Sequence, residues 1–186
     1  MFCFDIETLS VESTSVVLSA AIVYFDESST YESLLEDCLF VKFDAKEQIK
    51  KYNRTVSKST LEWWDKQSDH AKKISFTPSA KDMSAIEGIQ LIKSYLKRET
   101  KEKMIIWSRG SIDSVIIDSL CRSMNISPIA YYNQHREVRT ALDLLATTTV
   151  NGYCQVDLEG FSKDMVKKHD PVHDVCYDAV QLLYHI

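Results

Sequence analysis

Five acidic and imidazole side chains have the types and spacing that could do chemistry. Asp5 and Glu7 lie inside the apolar run Met1-Phe2-Cys3-Phe4-Asp5-Ile6-Glu7. A strand sends alternate residues to opposite faces, so Cys3, Asp5 and Glu7 share one face and Phe2, Phe4 and Ile6 the other. Two bare carboxylates on an apolar strand are costly to bury. A divalent cation is the simplest compensation, because hard metals take oxygen ligands. The bland alternative is a strand that ends at Ile6 with both acids solvated at its tip. A second group, far along the chain, weighs against it: His173 and Asp178, five residues apart, just before the apolar run Ala179-Val180-Gln181-Leu182-Leu183. A third is Asp113, shortly after Trp107-Ser108-Arg109-Gly110. Asp113 alone reads equally well as a charge favoured by a helix dipole, and His173 alone as a surface residue or cap.

The elements that must position these residues can be drawn from periodicity. Strands are expected at Phe2–Ile6, Val16–Phe25 and Cys38–Phe43, close enough for an antiparallel meander. Val16–Phe25 is nearly continuously apolar, as a buried central strand would be. The polar stretch Asp44–Gln67 reads as helical. Ala80–Arg98 is amphipathic, with Ile86, Ile89, Ile92 or Leu91, and Leu96 at helical spacing. Met104–Trp107 reads as a strand, Ser111–Met124 as a helix with Ser111 as N-cap, and Ile129–Tyr132 as a fifth strand. Helices at Val138–Ala146 and Val172–Tyr184 complete the pattern. On this pattern Asp178 sits on the last helix and His173 at its start. Strands followed by alternating helix and strand point to an α/β sandwich with a mixed sheet.

Composition narrows the class. The chain has 186 residues, 45% of them hydrophobic, enough for one sizeable core, so a single domain over 1–186 is expected. Its net charge of −5 excludes a general polyanion binder. No signal-peptide pattern opens the chain, and its longest apolar stretch is too short to span a bilayer. Five widely spaced cysteines without a CxxC read as reduced thiols, and a cytoplasmic location is expected.

Taken together, Asp5-x-Glu7, Asp113 and His173-x4-Asp178 resemble the DEDD exonucleases, the DnaQ-like family. The His five residues before the last acid resembles the His subtype; the Tyr subtype would need tyrosine where Asp174 stands. Lys42-Phe43-Asp44, Ser59-Thr60-Leu61-Glu62-Trp63-Trp64, Trp107-Ser108-Arg109-Gly110, Asn133-Gln134 with Arg139-Thr140, and His173-Asp174 resemble phage DexA-type exonucleases and the bacterial exoribonuclease group related to them. The resemblance spans Phe4 to about Leu183. It departs at Ile112, where an aromatic residue is usual, and Asp118 on the same helix competes with Asp113 for the middle position.

The resemblance implies a ribonuclease H-like three-layer α/β fold, a mixed five-stranded sheet flanked by helices. It implies 3′→5′ hydrolysis of single-stranded DNA or RNA with a free 3′ end, DNA being favoured, to nucleoside 5′-monophosphates. Two magnesium or manganese ions, about 3.5–4 Å apart, would clamp the attacking and leaving oxygens. Asp5 would bridge both, Glu7 and Asp178 would complete the nucleophile side, Asp113 would serve the leaving-group side, and His173 would be general base. A non-catalytic nucleic-acid binding domain of the same fold and a ribonuclease H-like endonuclease are the competing functions. A homo-oligomer is compatible with the sequence; a membrane partner is not expected.

Other residues carry two readings each. Trp63 and Trp64 could stack on a base, but neighbours on a helix do not share a face, so at most one does; the other is core. Lys50, Lys51 and Arg54 belong to a locally basic stretch that either touches phosphates or is solvated surface. Arg109 either meets a phosphate or pairs with an acid.

Overall fold

The computed structural model describes residues 1–99, 104–158 and 160–185. Its centre is β1 (Phe2–Thr8), β2 (Val17–Tyr24) and β3 (Leu39–Lys42), an antiparallel meander. β4 (Ile106–Ser108) adds parallel to β1, and β5 (His135–Glu137) parallel to β4. The sheet order is therefore β3-β2-β1-β4-β5, with β1 in the middle. This is the mixed five-stranded, helix-flanked α/β architecture that the ribonuclease H-like resemblance implies.

The alternation in β1 divides the interior. Phe2, Phe4 and Ile6 enter one core with Ile89, Ile92, Ile116 and Leu120 of helices α5 (Ala85–Glu99) and α6 (Ile112–Ser123). Cys3 enters the opposite core with Leu34 of α1 (Tyr31–Asp37), Leu142 of α7 (Val138–Leu145) and Val175 and Ala179 of α8 (Pro171–His185). Asp5 and Glu7 thus point toward the α8 side. Helix α5 can approach β3 closely because residue 88 is glycine: a Cβ there would lie 2.3 Å from the Phe43 ring.

Three expectations needed correction. The stretch Asp44–Gln67 is broken at Asn53, which adopts the left-handed conformation (φ 51°) and ends α2 (Ala45–Tyr52) before α3 (Lys58–Asp65) begins. Asparagine tolerates that conformation better than most residues. A short helix α4 (Asp69–Ala71) follows and runs into a π-helical turn, Lys72–Phe76. The fifth strand is not Ile129–Tyr132. Ile129 and Ala130 plug the first core from a loop, whereas Tyr131 and Tyr132 are exposed. Gln134 Oε1 accepts the Tyr131 backbone N–H at 2.6 Å, which turns the chain before β5. The true strand, His-Arg-Glu, has no apolar pattern and forms by pairing with β4. Finally, α1 was not expected; Thr30 and Ser33 cap it reciprocally, a short polar signal between two strands.

Arg54 is a fourth correction. It is a buried clasp, 5% exposed, not a phosphate contact. Its Nε and Nη2 donate to Ser15 O, Nη2 also to Ser13 O, and Nη1 to Ser119 Oγ, tying the β1–β2 connection to α6. Lys50 and Lys51 do stand exposed in the last turn of α2, where Lys51 lies 3.4 Å from Glu47. Removing Arg54 leaves buried carbonyls unpaired, so Arg54→Ala should cost about 2–4 kcal/mol in urea unfolding. Lys50→Ala and Lys51→Ala should stay within about 0.5 kcal/mol. A near-neutral Arg54→Ala would contradict the clasp.

Candidate active site

The middle strand supplies the first two carboxylates. Asp5 pairs with Ala21 and Glu7 with Ser19 across β1–β2; the register shifts just after Glu7, so β2 carries an extra residue there. Such irregularities re-aim side chains beside functional sites. Trp64 of α3 pins the same end of the strand: its indole N–H donates to Thr8 O at 3.0 Å. Trp64 is fully buried and stacks on Phe76. It is therefore core, and the expectation that it might meet a base is overturned for this residue. Trp63 remains 39% exposed.

The other carboxylates arrive from two helices. Asp113 lies in the first turn of α6, buried at 7% exposure. Asp178 is equally buried in the middle of α8, with Asp174 one turn before it on the same helix face. Asp5 is held far above the ordinary carboxylate range, first by burial and then by Asp113, Glu7, Asp174 and Asp178. Burial, then Asp174 and Asp113, does the same to Glu7. Asp113 is raised by burial and then by Asp178, with Arg139 opposing. Asp174 is pushed up to about 7 by burial and then by Asp178. Asp118 takes no part: the charges that bear on it are His135 and Arg122. The structure brings Asp5, Glu7, Asp113 and Asp178 together and places Asp113, rather than Asp118, among them.

Arg109 pairs with an acid. Its Nε donates to Asp178 Oδ1 at 2.7 Å and its Nη2 lies at 2.7 Å from the same oxygen. Burial still outweighs this cation, so Asp178 stays above its ordinary value. The guanidinium is buried against the Tyr153 ring, 4.1 Å from its centroid, and Nη1 donates to Gly152 O at 2.7 Å. Nearby, the Glu137 carboxylate accepts the backbone N–H groups of Gly110, Arg139 and Thr140. One acid thus caps α7 and fixes the turn that leads to Asp113.

His173 is the third residue of α8, and its Nδ1 lies 2.8 Å from the Tyr31 hydroxyl. Burial lowers its pKa, and the charges that bear on it are Asp170, Lys167 and His70. The imidazole beside the carboxylates is instead that of His169, whose Nδ1 lies 4.0 Å from Glu7 Oε1. Asp170, next in sequence, accepts the Val172 backbone N–H at 3.1 Å and lies 2.7 Å from His70 Nε2, joining α4 to the start of α8. Asp174, His169 and the Asp170–His70 pair are what sequence reasoning passed over. The four-residue spacing of Asp174 and Asp178 was a signal that could have flagged the first; nothing marks His70 as a partner of a residue 100 positions away.

Comparison with known proteins identifies the family. The family model described as the 3′-5′ exoribonuclease Rv2179c-like domain matches residues 1–183. The chain belongs to this family. It is also 30% identical, over 207 aligned positions, to an exodeoxyribonuclease of Enterobacteria phage T4, an alignment covering 98% of this chain and 87% of that relative. The chain is a DnaQ-like exonuclease, a nuclease of the hydrolase class. Among the described residues no helix is long and apolar enough to cross a membrane.

The crowding of acids fixes a pH dependence. Asp5, Glu7, Asp113 and Asp174 have folded pKa values above their unfolded ones, so the folded state binds more protons than the unfolded chain in the window between. Their contribution to stability is full below the unfolded values, near 4, and is lost as pH rises through the folded ones, about 7 for Asp174. The melting temperature of the protein in EDTA should therefore fall between pH 5 and about 8, and magnesium should reverse most of that fall. A melting temperature that is flat in pH and blind to magnesium would mean that these acids do not repel one another.

Proposed function

We propose that this chain is a two-metal 3′→5′ exonuclease of the His subtype, acting on single-stranded nucleic acid and releasing nucleoside 5′-monophosphates. One observation carries it: Asp5, Glu7, Asp113 and Asp178, from three elements far apart in sequence, share a buried site in which each is pushed toward its neutral form. Such a donor set suits hard divalent ions. It stays costly without added positive charge. Magnesium or manganese, held by these four acids, would supply Lewis-acid activation of water and of the phosphoryl oxygens.

The chain's own groups do the rest. Arg109 occupies one oxygen of Asp178 and so fixes the direction of the other. His173 would take the proton of the attacking water. Burial keeps its imidazole neutral near pH 7, as a base must be. In the tautomer whose Nδ1 donates to the Tyr31 oxygen, Nε2 keeps its lone pair. The structure holds His173 on Tyr31, so this role requires the imidazole to leave that hydroxyl. Trp63, half-exposed and edge-on to His169 at 4.8 Å, offers a face on which the terminal base would stack. Lys50 and Lys51, exposed in the last turn of α2, would contact substrate phosphates. DNA is favoured over RNA because the phage relative is an exodeoxyribonuclease, although the family is that of an exoribonuclease domain.

Matched 3′- and 5′-labelled DNA and RNA oligomers, with a circular single strand beside them, test this. Mononucleotides released from the 3′ end, no cut in the circle, and full loss in EDTA are expected. Cleavage of the circle would show an endonuclease; binding without cleavage would show a non-catalytic module. His173→Ala should lose about 10²–10⁴-fold in kcat, with partial rescue at high pH. Trp63→Leu should instead raise KM, by up to about tenfold for a loss of one stacked base. If Trp63→Leu leaves KM unchanged, the stacking role falls.

A further inference from the structure

Three donors at the rim of the site have the arrangement of a ligand set in its own right. Glu7, His169 and Asp174 each place one ligand atom within 4.8 Å of the other two. Two are carboxylate oxygens and the third is an imidazole nitrogen. His169 Nδ1 and Glu7 Oε1 are 4.0 Å apart, too far for a hydrogen bond. Two donors each about 2.0–2.2 Å from one ion lie roughly 3.4–3.6 Å apart at a tetrahedral angle and up to about 4.4 Å apart when they face each other across it. At 4.0 Å the pair makes no hydrogen bond, and a side-chain movement of about half an ångström closes it on a shared cation. The imidazole is also held in place. Its residue takes the left-handed backbone conformation (φ 58°), and Trp63 packs edge-on against the ring at 4.8 Å. Glu7 brings an 88% buried side chain, since 12% is exposed. Asp174, unlike Asp178, is not the acid that Arg109 grips.

We propose that Glu7, Asp174 and His169 form a cation site of their own beside the Asp5–Asp113–Asp178 cluster, one that prefers a transition-metal ion of the zinc type to magnesium. Ligand chemistry sets the preference. Magnesium favours oxygen donors and water, whereas an imidazole nitrogen raises affinity along the series from manganese to zinc. The site rests on the nuclease reading only through Glu7, which would serve both sets.

The test uses the full chain stripped with EDTA and no nucleic acid. Calorimetric titration should rank zinc above manganese above magnesium. His169→Asn is the deciding variant, because asparagine keeps the left-handed backbone and removes the imidazole. It should lose at least tenfold in zinc affinity and less than twofold in magnesium affinity. Asp174→Asn is the second variant and should lose zinc affinity likewise. With manganese as probe, electron spin echo modulation should show nitrogen coupling in the wild type and none in His169→Asn. Zinc and manganese bound by His169→Asn as tightly as by the wild type, with the nitrogen coupling intact, would overturn the site. Exonuclease activity, assayed separately, keeps the two ideas apart. A wild type that degrades neither DNA nor RNA yet binds zinc through His169 loses the nuclease reading and keeps this site. An active wild type without a His169-dependent ion loses this site alone.

Discussion

Repulsion among buried carboxylates is the constraint around which the rest of the molecule is arranged. Asp5 is pushed toward its neutral form by burial and then by four other acids. Unpaired, such charges would drive β1, α6 and α8 apart. What holds the three elements is apolar and lies on either side of the acids. Phe2, Phe4 and Ile6 pack on α6 from one face of β1, while Cys3 packs on α8 from the other. The strand is thus a partition whose two faces are both core at one end, with one face turning acidic at the other.

Polar ties do the finer positioning. Arg109 connects Asp178 to the backbone at Gly152 and stacks on Tyr153, so the loop before α8 and the last acid move together. Glu137 connects the turn at Gly110 to α7. Trp64 connects α3 to the strand end at Thr8. Each tie ends within a few residues of an acid, yet none uses up the carboxylate oxygens that a cation would need at Asp5, Glu7 or Asp113.

Much of this was legible in the chain, and for physical reasons. The alternation in Phe2–Glu7 predicts which residues face which core, because a strand has period two and its apolar and acidic residues are sorted by it. The amphipathic pattern finds α5 and α6 because each buries one broad stripe, whereas α8 shows as an apolar run because residues 175–182 are buried on every side. β5 escapes because its three residues carry no pattern of their own; an edge strand can be recruited by its neighbour's hydrogen bonds alone. Arg54 reads as a surface cation because sequence shows its charge and not the carbonyls of Ser13 and Ser15, which come from a loop about 40 residues away. Likewise nothing in the sequence marks His169, since only the left-handed turn before α8 swings its ring toward Glu7.

The sequence separation of the acids has a kinetic consequence. β1 and β2 are neighbours along the chain and can pair early, at small cost in loop closure. The charges of Asp174 and Asp178 belong to a helix some 170 residues from Asp5, so their approach is among the slowest contacts the chain must make. The docking of α8 is also the step that brings like charges together. Folding therefore meets its electrostatic barrier late, after most of the apolar surface is already buried. Free divalent cation would lower that barrier as well as stabilise the product, acting on the rate at which the protein forms before it acts on any nucleic acid.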